Sequence, residues 1–352
     1  MPPHQPIGNP IDLASGELRF VLPRWIREHL ADTAGSWSPR YQEGPAHPVL
    51  EARYRAFRKD LPAGATVLVT AGAKEATFLA LGALLDTPRA RVLVPTPAWP
   101  SYSRIARWLG AGVEWYGVRG GANPTDEIID KLARLRPTAL ILNFPHNPTG
   151  AEVSLGDLRA ILRAAQGLGT AVVSDEVYRP FGSLRAATVA CDLSSGADVL
   201  LVDSASKWLA LAGLRIGWLA ASPRLATRVT ELRSSCAGAT TSTFGQAALG
   251  AILSDARCQP YVERLVSDAR LCTETWRQRI LARGDRILGC GSVYIWAEAA
   301  EAVAGRSLAF GPVLSTVAPG DQFGAADNLY RVCPCRQDVL EGIAQEAGTR
   351  RA

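Results

Sequence analysis

The sequence predicts an α/β fold, with a large domain on a mostly parallel sheet sandwiched by helices and a smaller α+β domain beside it. Three observations carry this. Short apolar runs alternate with longer helical patterns between about residues 66 and 220. Several of those runs, such as 139–142 and 199–202, are apolar at every position, as strands covered on both faces are. From Ser222 onward the texture changes to long helical stretches followed by shorter strands.

In chain order, strands are predicted at 66–70, 91–95, 113–118, 138–143, 171–175, 199–204 and 216–220. Helical patterns lie between them at 74–85, 102–109, 125–135 and 154–168. Ser154, with Asp157 three residues on, resembles a capping box that starts the last of these. A long helical stretch then runs to about residue 283 with a break around 237–242. Strands at 292–297, 313–317 and 329–333 and a helix at 337–347 complete the pattern. The expected division is a large domain over 40–236, with 1–39 and 237–352 forming the small one, because the first 39 residues carry no strand of the main pattern.

Composition limits the function classes. With 47% hydrophobic and 20% charged residues, and 352 residues to bury a core, the chain reads as an ordinary globular protein. The net charge of +5 comes from scattered residues, so no nucleic-acid or membrane partner is expected. Residues 1–10 are polar and proline-rich with no apolar core, unlike a secretory signal. The seven cysteines are odd in number and lack a Cys-x-x-Cys pair, so free thiols in a reducing cytoplasm are expected, with no disulfide framework and no metal. Cys333 and Cys335 alternate in what reads as a strand and so share a face.

Four clusters carry chemistry, each at the end of a predicted strand, where open α/β sheets bind ligands. Thr70-Ala71-Gly72-Ala73-Lys74 leads from a strand into a helix, whose free N–H groups and positive dipole end suit a phosphate. Asn143-Phe144-Pro145-His146-Asn147-Pro148-Thr149-Gly150 forms a tight turn that aims the Asn147 amide. Asp175 ends an apolar run and requires a cationic or protonated partner, and Tyr178 follows three residues on. Lys207 in Ser204-Ala205-Ser206-Lys207 follows another apolar run, where desolvation makes an amine nucleophilic; Arg215 lies eight residues later. Each cluster alone has an ordinary reading, as a strand-to-helix turn, an Asn-Pro turn or a solvated lysine. The ordered set of four points to a site.

That ordered set resembles the class I/II aminotransferases of pyridoxal 5′-phosphate (PLP) fold type I, the aspartate aminotransferase-like family, over about residues 11–347. The resemblance implies a Schiff base between PLP and Lys207, which would also shuttle the substrate's proton. Asp175 would hold the pyridine nitrogen protonated, and Asn147 and Tyr178 would bond the ring oxygen. Gly72, Ala73, Lys74, Ser204, Ser206 and Arg215 would bind the phosphate. Trp99 would stack on the ring, although a core tryptophan is the alternative among nine. Tyr41 would reach the phosphate of a neighbouring subunit, which implies a homodimer with shared sites. Arg331 would clamp the substrate α-carboxylate, unless it is an exposed strand arginine, and Gly16 would line the substrate site. The chain departs from the pattern at Glu17-Leu18-Arg19-Phe20, where many relatives carry Pro-Asp after the Glu, and in the short stretch 299–312. Both touch the region that selects the side chain, where Glu17 would attract a cationic group and Arg19 an anionic one, unless both are solvated surface charges.

Transamination between an α-amino acid and a 2-oxo acid is the first expectation. The same cofactor site also serves lyases, decarboxylases, cyclases and oxidases. A non-catalytic PLP-binding regulator is disfavoured, because the resembling part begins within about twenty residues and a DNA-binding domain needs roughly 50.

Overall fold

The computed structural model describes residues 10–38, 40, 44, 46–120, 122–183, 188–189, 198–238, 240–301, 306–311 and 313–349, and all counts are of these. The chain opens with β1 (Ile11–Asp12), α1 (Arg24–Ser36) and α2 (Pro48–Phe57). The N-terminal segment hydrogen-bonds to the C-terminal part of the chain: the Arg19 N–H donates to the Cys335 carbonyl at 2.9 Å, and the Leu13 N–H to the Thr316 carbonyl at 3.0 Å.

The main sheet follows. It contains β2 (Thr66–Thr70), β3 (Arg91–Thr96), β4 (Gly112–Gly117), β5 (Ala139–Asn143), β6 (Ala171–Asp175), β7 (Val199–Ser204) and β8 (Gly217–Ala221). Their spatial order is β2-β8-β7-β6-β5-β3-β4. β8 alone runs antiparallel to its neighbours. Every residue of β5, β6 and β7 is buried, so a fully apolar run is the physical signature of a central strand here. The connecting helices are α3 (Ala73–Leu84), α4 (Ser101–Trp108), α5 (Thr125–Leu135), α6 (Leu155–Gly167) and the single turn α7 (Ala205–Trp208). Ser154 caps α6 as predicted, its Oγ accepting from the Asp157 N–H at 3.1 Å.

The predicted long helix is broken twice. α8 (Pro223–Cys236) ends near the expected break, and α9 (Thr243–Ser254) is separated from α10 (Cys258–Ala282) by a second turn. There the Asp255 side chain accepts from the Arg257 N–H at 2.8 Å. Pro260 stands in the first turn of α10, a helix-start signal that periodicity alone passes over. α9 lies against α2 and α1.

Two small sheets complete the fold. β9 (Arg286–Gly291), β10 (Tyr294–Glu298), β11 (Ser307–Phe310), β12 (Val313–Thr316), β13 (Ala318–Pro319) and β14 (Leu329–Val332) precede α11 (Gln337–Thr349). Their orders are β13-β14-β10-β9 and β1-β12-β11. β9 and β11 were not anticipated: β9 is mostly half-exposed and contains two glycines. β14 ends at Val332, so Cys333 and Cys335 lie beyond the strand predicted to hold them, although both are buried. The cysteines are free thiols among the described residues, and Cys191 lies outside them.

The small sheet meets the large one main chain to main chain. A Cβ on Gly289 would lie 2.1 Å from the Thr149 carbonyl oxygen, and one on Gly291 would lie 2.4 Å from that of Gly150. This seam presses β9 against the loop that carries Asn147.

Behind the carboxyl ends of β6 and β7 lies a buried ionic cluster. The Arg58 guanidinium, 1% exposed, donates to Asp60 at 2.9 Å, Glu176 at 2.9 Å and Asp203 at 3.2 Å. Tyr54 donates its hydroxyl to the same Asp203 oxygen at 2.9 Å. Glu176 follows Asp175 and Asp203 precedes Ser204, so the cluster clamps the two strand ends together. Arg58→Met leaves Glu176 and Asp203 without this cation, while Asp60 keeps Arg179 at 3.6 Å. It is expected to lower unfolding stability by about 3–5 kcal/mol in urea titration. A loss under about 1 kcal/mol would show that the cluster does not hold the strand ends.

Candidate active site

The carboxyl ends of β2, β5, β6 and β7 converge on one cavity of ≈ 480 Å³, which also takes residues from the N-terminal segment and from β10 and β14. At its floor is Lys207. Its chain position is fixed by Trp208, which is fully buried, stacks on Phe57 at 4.2 Å and donates its indole N–H to Asp203 at 3.2 Å. The Lys207 Nζ donates to the Gly16 carbonyl at 2.6 Å. Burial lowers its pKa, opposed by the nearby Cys333 thiol, so the neutral amine is more accessible than in an ordinary lysine.

Asp175 ends β6 facing the same cavity, 4% exposed. It accepts from the Tyr102 hydroxyl at 2.6 Å and the Val177 N–H at 3.3 Å, and no basic side chain forms an ion pair with it among the described residues. Burial pushes its carboxyl up to about 6, against the lowering effect of those two hydrogen bonds. An acidic group in this state retains its capacity to bind a cation.

Asn143 holds two parts of the site at once. Its Nδ2 donates to the Asp175 carbonyl at 2.9 Å and its Oδ1 accepts from the Asn147 N–H at 3.0 Å. The Asn147 side chain then accepts from Arg331 Nη1 at 3.0 Å. Arg331 is buried, so the exposed-strand alternative is wrong. Its Nη2 donates to the Ala14 carbonyl at 2.6 Å, while its Nε is buried without an acceptor. Phe323 and Tyr294 place their rings 4.9 and 4.4 Å from the guanidinium.

At the other end of the cavity lies the turn between β2 and α3, expected to cradle a phosphate. Gly72 caps α3 at φ +90°, and a Cβ there would lie 2.8 Å from Arg215 Nη2. Gly217 on β8 runs beneath it, where a Cβ would meet the Gly72 carbonyl carbon at 2.6 Å. Arg215, itself left-handed at φ 55°, reaches back to the Ala71 carbonyl at 3.0 Å. Ser204 Oγ donates to Ser206 Oγ at 2.8 Å beside it. Ala73 and Lys74 line the cavity, and the Lys74 ammonium sits 5.3 Å over the Trp99 ring.

The structure therefore brings together Gly16, the Gly72–Lys74 turn, Trp99, Asn147, Asp175, Tyr178, Ser204, Ser206, Lys207, Arg215 and Arg331. Tyr41 lies outside the described residues. Glu17 and Arg19, opposed candidates for side-chain selection, pair with each other at 3.2 Å. Sequence reasoning missed Tyr102, Asn143 and Tyr294. Tyr102 follows Trp99 by one helical turn, which is the signal available for it. Asn143 and Tyr294 find their partners only through folding.

Comparison with known proteins agrees with this geometry. Residues 8–288 match the family model for "Aminotransferase class I and II". The chain is 31% identical to histidinol-phosphate aminotransferase 2 of Cupriavidus pinatubonensis over 63% of its length and 60% of that protein's. It is 30% identical to an aspartate aminotransferase of Thermotoga maritima over 69% of its length, again spanning 60% of the relative. The chain thus spans about three-fifths of these two curated relatives. The fold matches N-succinyldiaminopimelate aminotransferase from Mycobacterium tuberculosis with TM-score 0.81 at 23% identity, covering 96% of this chain and 92% of that one.

Proposed function

The chain belongs to the class I and II aminotransferases, and from that membership we propose that it is a PLP-dependent transaminase moving an amino group between an α-amino acid and a 2-oxo acid. The observation that carries this reading is Arg331. It is a buried guanidinium held only by neutral acceptors, with Nε unpaired, on the cavity that also contains Lys207 and Asp175. Such a group is a receptor for a carboxylate, which it engages with two parallel hydrogen bonds.

The residues present fit PLP. The turn at Gly72 leaves a cradle that a Cβ would fill, and Asp175 lacks a cation that a protonated ring nitrogen would supply. When bound, PLP supplies an aldehyde for a primary amine and a pyridinium ring that withdraws electrons from the substrate α-carbon. Lys207 would hold the cofactor through its amine and would take up the substrate Cα proton. Asp175 would keep the ring nitrogen protonated. Asn147 and Tyr178 would bond the ring oxygen, while Trp99 would cover the ring face. Ser204, Ser206, Arg215 and the N–H groups of Ala73 and Lys74 hold the phosphate. Gly16 lines the substrate side.

A homodimer, with Tyr41 of a second copy completing the phosphate site, and a cytoplasmic location belong to the same proposal. So does the division into 40–236 and the remainder, supported by a main sheet lying wholly within 66–221. No helix among the described residues is long and apolar enough to cross a membrane.

Adding PLP to the purified protein should produce a visible absorbance band that an amino acid bleaches and a 2-oxo acid restores. A band that persists, or ammonia or carbon dioxide released without a 2-oxo acid, would move the assignment to a lyase or decarboxylase on the same fold. The cradle has its own test. Gly217→Ala forces a methyl against the Gly72 backbone at an overpacking cost of about 1–3 kcal/mol, so the PLP dissociation constant should rise about tenfold or more in fluorescence titration. An unchanged constant would separate this turn from cofactor binding.

A further inference from the structure

We propose that Tyr294 is a positioning residue that fixes the direction in which Tyr178 donates its proton and at the same time seats Arg331. The inference rests on the transaminase reading of the site and adds to it a residue outside the expected set.

Tyr294 opens β10 and is 1% exposed. Its hydroxyl lies 2.7 Å from that of Tyr178, with the rings edge to face at 5.2 Å. Its proton has one other acceptor, the Gly16 carbonyl, at 3.5 Å. The nearer acceptor is therefore the Tyr178 oxygen. Once that oxygen accepts from Tyr294, the Tyr178 proton points to the cavity, where the cofactor's ring oxygen is expected. A hydroxyl that accepts a hydrogen bond is a stronger donor of its own.

The same ring does a second job. Its face lies 4.4 Å from the Arg331 guanidinium, which Phe323 flanks at 4.9 Å. The hydroxyl also occupies the space beside Gly16, where a Cβ would come within 2.6 Å of it. Tyr294 thus joins three elements that meet at the substrate: the N-terminal segment, the carboxylate-binding arginine and Tyr178.

Other groups facing this pair come from several elements. They are Arg331 from β14, Lys207 from α7, Asp175 from β6, and the Cys333 and Cys335 thiols beyond β14. Glu17 faces Lys207 from the N-terminal segment, and Tyr102 faces Asp175 from α4. Each of these remains in place when Tyr294 is replaced by phenylalanine, so a change in that variant reports on the hydroxyl.

The experiment is a pH titration of the visible band of the PLP-loaded protein, with amino-acid KM and kcat measured alongside. Tyr294→Phe should raise the titration midpoint by about 0.5–1 unit, the size of one lost hydrogen bond, and leave KM near the wild-type value because the ring still faces Arg331. Tyr294→Leu removes the ring as well and should raise KM by about threefold to thirtyfold. In a Tyr178→Phe background, Tyr294→Phe should add no further midpoint shift. A wild-type midpoint in Tyr294→Phe, with the band intact, would overturn the inference alone. Absence of the band from the wild-type protein would overturn the transaminase reading and this inference with it.

Discussion

Lys207→Ala is expected to abolish the visible band and reduce turnover by at least about 10²–10⁴-fold, the share a positioned proton carrier contributes. The physical basis is the burial of the amine and its placement by the Trp208 anchor. Borohydride reduction followed by peptide mass spectrometry gives the direct reading. The wild-type protein should carry a reduced PLP adduct on Lys207, and the variant none. Lys74 also lines the cavity, 5.3 Å over Trp99. An adduct on Lys74 in the wild-type protein would transfer the covalent role to the cradle and reverse the orientation assigned to the cofactor. Lys207→Arg retains a positive charge without a nucleophilic amine, so it should resemble the alanine variant rather than the wild type.

Asp175→Asn should lower kcat by about 10²–10³-fold, in the range seen when one preorganised electrostatic partner is removed. The substitution keeps the shape and the Tyr102 contact while removing the charge that holds a ring nitrogen protonated. The cofactor-free protein offers an independent check through pH. Asp175 is raised from 3.8 to about 6 in the folded protein, chiefly by burial. The folded state therefore holds this proton more tightly than the unfolded chain. The contribution to stability is fully present below pH 3.8, falls as pH rises to about 6 and is absent above that. Unfolding free energies of the wild-type protein should drop across this window by about 3 kcal/mol relative to Asp175→Asn. Parallel profiles for the two proteins would mean that the carboxyl is not held protonated by its burial. With PLP bound the sign reverses, because the ring nitrogen requires the ionised carboxylate; cofactor affinity should therefore rise with pH up to about 6.

Much of this site was legible because its residues sit at the ends of strands with apolar interiors. β2, β6 and β7 begin and end where their composition places them, and the chemistry-bearing residues follow directly. Strand direction was less accessible: nothing in Gly217–Ala221 distinguishes the antiparallel β8 from its parallel neighbours. The second break in the long helix is carried by the Asp255 side chain, which accepts from the Arg257 N–H, and by Pro260 in the first turn of α10, where the apolar period runs on unbroken. Tyr294 and Asn143 escaped for a different reason. Tyr294 meets Tyr178 across 116 positions of chain, and Asn143 meets Asp175 across 32. Arg58 likewise looks like a surface arginine near a helix end until folding brings Glu176 and Asp203 to it. Local pattern indicates where a ligand-bearing strand ends, but not which distant side chains complete its hydrogen bonds.

The seam between β9 and the Asn147 loop has a mechanical consequence. Side chains absorb small displacements by changing rotamer, whereas the contact of Gly289 and Gly291 with Thr149 and Gly150 contains no rotatable side chain on the glycine side. A shift of the small sheet is therefore delivered to the loop without slack. β9 is hydrogen-bonded to β10 and β10 to β14, the strand that bears Arg331. The Arg331 guanidinium also donates to the Asn147 side chain at 3.0 Å, so the strand and the loop are tied at two points, one through backbone and one through side chains, like a hinge pinned at both ends.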